Sequence, residues 1–330
     1  MKALMFDRIG APEDVLYLAE VSIPEIQENE VLVRMVSSSI NPGDFLFIRN
    51  LYPEPKKPHL PRQIAGNHGA GIVEKVGTKA SVLPGTLVAF SYYNAWAEYA
   101  VIPSEWIVPL PEGYPPERAA QLMSAITAWD LLADSGVQRG QWLALTAGYS
   151  LVSTMVLQFA VRQGIHVLPV VRKAYDHLDL RSLGASDVID LSLLTTALGE
   201  EVSQKTGGIG IHALIDNVGG PSTGDLIKSL ATGGKVLING GMTEESFTLH
   251  NFDILMKVLE VRASVYRFFF DPPTDADRPS LQEIINLLQD DSFIVPIGGV
   301  RPLSEFKEAI ADTYLRASLG KQLFQMNTSS

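Results

Sequence analysis

The chain has 330 residues, 46% hydrophobic and 19% charged, with a net charge of -11. At roughly 150 residues per domain this allows two domains with sizeable cores, and the acidic balance argues against nucleic acid as the main partner, because phosphate contacts need clustered Lys and Arg. No apolar run reaches the roughly 18 residues of a membrane span, and the absence of cysteine excludes disulfides and thiolate–zinc sites.

Met1 to Phe6 reads directly as a strand, without a signal or transit pattern, so a cytoplasmic location is expected. Short apolar runs broken by Gly and Pro follow at 31–37, 71–76, 87–90 and 97–102, an irregular all-β pattern. The character changes at Pro116. A helical stretch at 117–133 opens an alternation of strands (142–146, 166–171, 187–189, 213–216, 235–239, 261–266) with helices (151–162, 175–183, 193–205, 221–230, 252–258). Six strands with intervening helices predict an α/β fold with a doubly wound parallel sheet. A loop with Pro272 and Pro273 comes next, then helices at 281–289 and 306–315 and a closing strand at 321–326. That tail is too short for a domain of its own and is expected to return to the β-rich part. The expected division is 1–116 with 268–330, and 117–267.

The segment from Trp142 to Lys173 carries most information. An apolar strand, a small-residue turn from Thr146 to Ser150, a helix and a second apolar strand make up the unit that binds dinucleotides. Gly148, Tyr149, Ser150, Leu151 and Val152 form the turn and helix start expected at the pyrophosphate. The second strand ends in Arg172 and Lys173, where an NAD-binding protein would carry Asp or Glu. Exposed cations are common at strand ends, but a planar guanidinium suits a 2′-phosphate, and no acid is present, so NADPH is the expected cofactor. The histidines form no HxH or HExxH pair, so no metal is expected.

Asn41-Pro42-Gly43-Asp44 is turn chemistry on its own residues. Tyr52, eleven residues after Asn41, reads alone as a ring packed in a loop. Trp96 reads equally as core or as cleft wall, and the role of His68 is open.

These segments, with Gly66-Asn67-His68-Gly69-Ala70-Gly71, Trp96-Ala97-Glu98-Tyr99-Ala100, Thr127-Ala128, Asn217-Val218-Gly219-Gly220 and Gly240-Gly241-Met242, resemble the medium-chain dehydrogenase/reductase superfamily over essentially the whole chain. The resemblance is to its zinc-free branch, nearest to the 2-enoyl thioester reductases and next to the quinone oxidoreductases. It implies a GroES-like irregular β-barrel as the catalytic domain beside the dinucleotide-binding Rossmann domain. It also implies Tyr52 as proton donor, with Asn41 beside it, in the reduction of an activated C=C bond. Hydride goes to Cβ, negative charge develops on the carbonyl oxygen, and a proton reaches Cα. Thr127, Asn217, Val218, Gly240, Gly241 and Met242 are implied around the nicotinamide. Arg49, Trp96 and Phe268 are candidates for the substrate cleft. Arg49, Lys56, Lys57, Arg62 and Arg267 are candidate cations for a carrier phosphate. The strand at 261–266 is where relatives pair subunits, so a homodimer is expected. The sequence departs from these relatives at Ser153, which replaces a glycine that closes the turn, and at Tyr149, which replaces an Asn. The alternative enzyme reading is a quinone, enone or enal reductase. The non-enzyme alternative is an NADPH-binding sensor or structural protein.

Overall fold

In the computed structural model the residues described are Met1–Met326. The chain divides into two compact units: Met1–Ser124 with the chain from Phe268 onward, and Ala125–Arg267. The first extends to Ser124 rather than ending at Pro116.

The first unit holds a mostly antiparallel seven-stranded sheet. Its path runs Ile297–Arg301, Lys321–Gln325, Glu30–Ser39, His68–Val76, Leu87–Ser91, Ile107–Pro109, and Tyr99–Pro103 also pairs with Glu30–Ser39. A smaller sheet joins Tyr17–Glu20, Lys2–Phe6 and Gln63–Ile64. The last strand does return to this unit, pairing antiparallel with Glu30–Ser39 in the register Leu323 to Ser39. That register carries Lys321 to Asn41. The core includes Phe6, Val33, Phe47, Phe90, Trp96 and Phe324. Trp96 is completely buried, its ring edge-on to Phe324 and its Nε1 donating to the Ser39 carbonyl (3.3 Å), so it is core and not a cleft wall. The segment read as a turn at Asn41–Asp44 instead starts a helix, Pro42–Ile48. Proline at the first helical position has the required φ and no N–H to leave unpaired, and Asp44 accepts back from the Asn41 N–H (2.7 Å).

The second unit is a six-stranded parallel sheet in the order Ile189–Asp190, His166–Val171, Trp142–Leu145, Ile211–Asp216, Leu230–Ile238, Glu260–Ala263. This is the doubly wound sheet expected. Its central strands are apolar on both faces, as helix-covered parallel strands require. The helix expected at 175–183 is absent, and turns occupy the segment. The start of the segment is held by side chains, Ala174 N–H by Asp190 (2.8 Å) and Tyr175 N–H by the Tyr149 hydroxyl (2.8 Å), and its end by a tight turn, Ser182 N–H to the Asp179 carbonyl (3.1 Å). The helix expected at 193–205 shortens to Leu198–Lys205. No helix among the described residues is long and apolar enough to cross a membrane.

Candidate active site and dinucleotide site

In the first unit the start of helix Pro42–Ile48 gathers a polar cluster from three places in the chain. Asp44 is buried, and its carboxylate accepts from Asn41 N (2.7 Å), Asn67 N (2.8 Å) and Asn67 Nδ2 (3.0 Å). Burial pushes its pKa up to about 6, against the pull of those N–H donors and the Lys321 charge. Lys321 donates to Asn41 Oδ1 (2.9 Å) and to the Ile40 carbonyl (3.3 Å). Asn41 Nδ2 donates to Ser39 Oγ (2.8 Å) and lies 3.4 Å from His68 Nδ1. The Asn41 amide is therefore engaged inside the protein on both its oxygen and its nitrogen, which makes it an organiser of the cluster. Burial, then the charges of Lys56 and Lys321, lower the His68 pKa to about 3, so this imidazole is neutral.

Tyr52 stands over this cluster. Its hydroxyl lies where a Cβ on Gly43 would be, only 2.4 Å from the ideal position, so a side chain there would displace the phenol. The ring packs edge-on against Phe269 with centroids 4.9 Å apart. Among the described residues the hydroxyl has no hydrogen-bond partner. Burial, and next the Asp44 charge, push its pKa above the ordinary phenol range, so it holds its proton at neutral pH. Burial lowers Lys56 and Lys321 each to about 8, opposed in both cases by Asp44. Two ammoniums thus act on one carboxylate, which leaves the cluster with an excess of positive charge.

The candidate cations fare differently. Arg49 is exposed at the end of the Pro42–Ile48 helix, and Arg62 is exposed. Lys57 donates to the Asn50 carbonyl (3.3 Å). Arg267 belongs to the other unit, paired with Asp130. Lys56 is no surface cation: its side chain is buried among aromatic rings. Phe268 is buried, while Phe270 is exposed.

In the second unit the turn after strand Trp142–Leu145 places Ala147 at φ 49 and leads to Ser150, the N-cap of helix Leu151–Arg162. Ser150 Oγ accepts from Ser153 N (3.1 Å). A Cβ at Gly148 would sit 2.8 Å from Pro169 and 2.9 Å from Val171, so glycine permits the turn to pass against the second strand. Ser153, in place of the closing glycine, is completely buried. Its hydroxyl donates to the Thr146 carbonyl (3.0 Å) and accepts from Ser150 Oγ (3.0 Å) and Asn217 Nδ2 (3.2 Å). The departure is accommodated as a stitch between strand, turn and helix. Tyr149 accepts from Tyr175 N and donates to its carbonyl (3.3 Å), pinning the loop that carries Arg172 and Lys173. Both cations are exposed, and Arg172 has no hydrogen bond or ion pair among the described residues. The Asn217 side chain is engaged with Thr146, Ser153 and Asn239, and its backbone N–H donates to Thr146 Oγ1 (2.7 Å), so Asn217 is a structural tie between the strand ends. Gly240 packs against the Asn217 carbonyl, where a Cβ would lie at 2.5 Å, and Gly241 is open. Met242 N–H donates to the Val218 carbonyl (2.8 Å), which ties the two loops together, and its side chain is exposed. Thr127 is half-buried on helix Leu122–Ser135. Open backbone at a helix N-terminus, followed by an unpaired guanidinium at the next strand end, fits a phosphorylated dinucleotide. Among the described residues no group of His, Cys, Asp or Glu is placed to hold a metal ion.

Sequence reasoning missed Asp44 as a buried charge, Lys321, and Asp216. Asp216 is a fully buried carboxylate that accepts from Thr146 Oγ1 (2.8 Å), Thr223 Oγ1 (2.9 Å) and the N–H groups of Val218 and Gly219. Its signal was a lone acid ending an apolar strand. Lys321 gave only one cation before the closing strand.

Two family profiles match the chain: the alcohol dehydrogenase GroES-like domain over residues 27–112, and zinc-binding dehydrogenase over 152–290. The mitochondrial enoyl-[acyl-carrier-protein] reductase of Xenopus tropicalis is 28% identical over 338 residues, covering 98% of this chain and 95% of that protein. A putative NADPH:quinone reductase from Bacillus thuringiensis superposes with a TM-score of 0.87 at 28% identity, covering 98% of each chain. The Etr1p complex with NADP and crotonyl-CoA superposes with a TM-score of 0.83 at 22% identity, over 98% of this chain and 99% of that one, a likeness of fold.

Proposed function

The chain belongs to the medium-chain dehydrogenase/reductase superfamily of oxidoreductases, and we propose that it is an NADPH-dependent reductase of an activated C=C bond whose substrate is a 2-enoyl thioester. The observation that carries this reading is Tyr52: a protonated, mostly buried phenol without an internal hydrogen-bond partner among the described residues, set over Gly43 at the start of the helix that holds Asp44. The enoyl-[acyl-carrier-protein] reductase relative supports the substrate class.

Bound NADPH supplies the hydride received by the substrate's β-carbon. Arg172 and Lys173 would hold the 2′-phosphate, and the N–H groups of Leu151 and Val152 at the start of their helix would meet the pyrophosphate. In the first unit the Lys321 ammonium, held at Asn41 Oδ1, favours negative charge on the thioester carbonyl oxygen. Tyr52 passes its proton to Cα, leaving a phenolate that solvent reprotonates.

Replacing Tyr52 by Phe is expected to cut turnover of crotonyl-CoA by roughly 10²- to 10⁴-fold while NADPH still binds. Full turnover in that variant would remove Tyr52 from the chemistry. The Bacillus thuringiensis neighbour favours a second reading, quinone reduction. Parallel assays with crotonyl-CoA and a benzoquinone separate the two, since a thioester reductase turns over the acyl-CoA preferentially. The homodimer is proposed through strand Glu260–Ala263, whose residues are all exposed at the sheet edge. Light scattering on the eluting protein checks it, and a monomer would refute it.

A further inference from the structure

We infer that Lys56 is a positioning residue for Tyr52: its ammonium, seated among the rings of Tyr93, Trp106 and Phe269, clamps the segment that carries the phenol. The inference rests on the reading of Tyr52 as proton donor.

The segment is exposed nearly throughout. Leu51, Pro53, Glu54 and Pro55 face solvent, whereas Lys56 is only 5% exposed, so Lys56 is the anchor. Its Nζ lies 5.2 Å from the ring centres of Tyr93 and Phe269 and 5.9 Å from that of Trp106. These rings come from three separate stretches of the chain, so one side chain ties the segment to all three. Phe269 is shared: Lys56 sits over its ring, and the Tyr52 ring meets it edge-on. A shift of the ammonium therefore moves the surface against which the phenol rests. The Lys56 N–H to Pro53 carbonyl bond (3.0 Å) and the Tyr93 hydroxyl to Pro55 carbonyl bond (3.3 Å) close the turn between the two residues.

The charge is what needs explaining. Among the described residues this ammonium has no hydrogen bond or ion pair. The side chain is largely withdrawn from water, although Nζ is not among the fully enclosed polar atoms that lack a partner, and an apolar side chain would fill the same space without that desolvation cost. Attraction to three ring faces holds a cation at a defined point, as apolar packing does not. The charged or titratable groups facing it are Asp44, His68 and Tyr93, with Lys321 sharing Asp44. Burial places its own proton loss at about pH 8. Above that point the amine is neutral, the ring attraction is gone, and Tyr52 is held less tightly.

The test compares Lys56→Met, which fills the cage without charge, with Lys56→Arg, which keeps the charge. In wild type, kcat for crotonyl-CoA should fall above about pH 8. Lys56→Met should lower kcat at pH 7 by roughly 10- to 100-fold with KM little changed. Lys56→Arg should restore kcat at pH 7 towards wild type and make the fall above pH 8 smaller, leaving only what Lys321, which loses its proton in the same range, contributes. A fall as large in Lys56→Arg as in wild type overturns the inference, as does full kcat in Lys56→Met.

A second readout needs no turnover. With tyrosines labelled at Cζ with ¹³C, the Tyr52 resonance, identified by its loss in Tyr52→Phe, should shift with a midpoint near pH 8 in wild type. It should lose that midpoint in both Lys56 variants. A resonance indifferent to Lys56 refutes the clamp whatever the substrate proves to be. Full turnover in Tyr52→Phe instead refutes the catalytic reading and leaves the resonance to decide the clamp.

Discussion

Each unit is organised around one buried carboxylate, and the two are satisfied in different ways. Asp216 is met only by neutral donors, two threonine hydroxyls and two backbone N–H groups, at the carboxyl end of a central strand. Asp44 takes three N–H groups and also lies in the field of two buried ammoniums. The first arrangement locks loops in place. The second stores charge beside a phenol. A buried carboxylate is thus a neutral-donor strut or a member of a charged cluster according to what surrounds it.

The largest expected effect on stability comes from breaking the strut. Asp216→Ala leaves two hydroxyls and two N–H groups without their acceptor and is expected to cost on the order of 3–5 kcal/mol, lowering the melting temperature by roughly 10 °C. A melt unchanged by this variant would erase the contrast. Asp44 should show its difference through pH. Its folded pKa of about 6 exceeds the ordinary 3.8, so between those values the folded chain holds the extra proton. Stability therefore falls as pH rises through that window, by on the order of 3 kcal/mol. Urea denaturation of wild type and Asp44→Asn from pH 4 to 7 reads this as a difference that closes or reverses with pH, and a constant difference would contradict it.

Two smaller effects sharpen the comparison on the cofactor side. Arg172→Ala should raise KM for NADPH by roughly 10- to 100-fold and leave NADH unaffected, since one charge-assisted contact is lost. Equal effects on both cofactors would place the guanidinium elsewhere. Ser153→Ala should cost about 1–2 kcal/mol through the loss of its buried hydrogen bonds, with little change in NADPH affinity. Thermal melts and cofactor titration report the two quantities separately.

Much of the molecule was legible as sequence because it is written in local periods. The run from Trp142 to Lys173 showed strand, turn, helix and strand, since parallel strands covered on both faces are continuously apolar. The helix at Phe306–Leu315 and the return of the closing strand to the first unit were equally readable. The segment at 175–183 misled, because its start is held by Tyr149 and Asp190, outside the segment, and its end closes in turns. Asn41-Pro42-Gly43-Asp44 misled in the other direction, because turn chemistry and helix-start chemistry use the same residues.

By itself, then, the sequence determined the α/β plan, the doubly wound unit and the cation at the end of its second strand, all set by period and residue type. Only the tertiary structure decided that Trp96 is core, that Ser153 is a stitch, that Lys56 is buried, and that Lys321 meets Asn41. Those outcomes depend on strand register and on rings from distant segments, and burial, which turns a common lysine or aspartate into a perturbed one, arises only when such segments close around it.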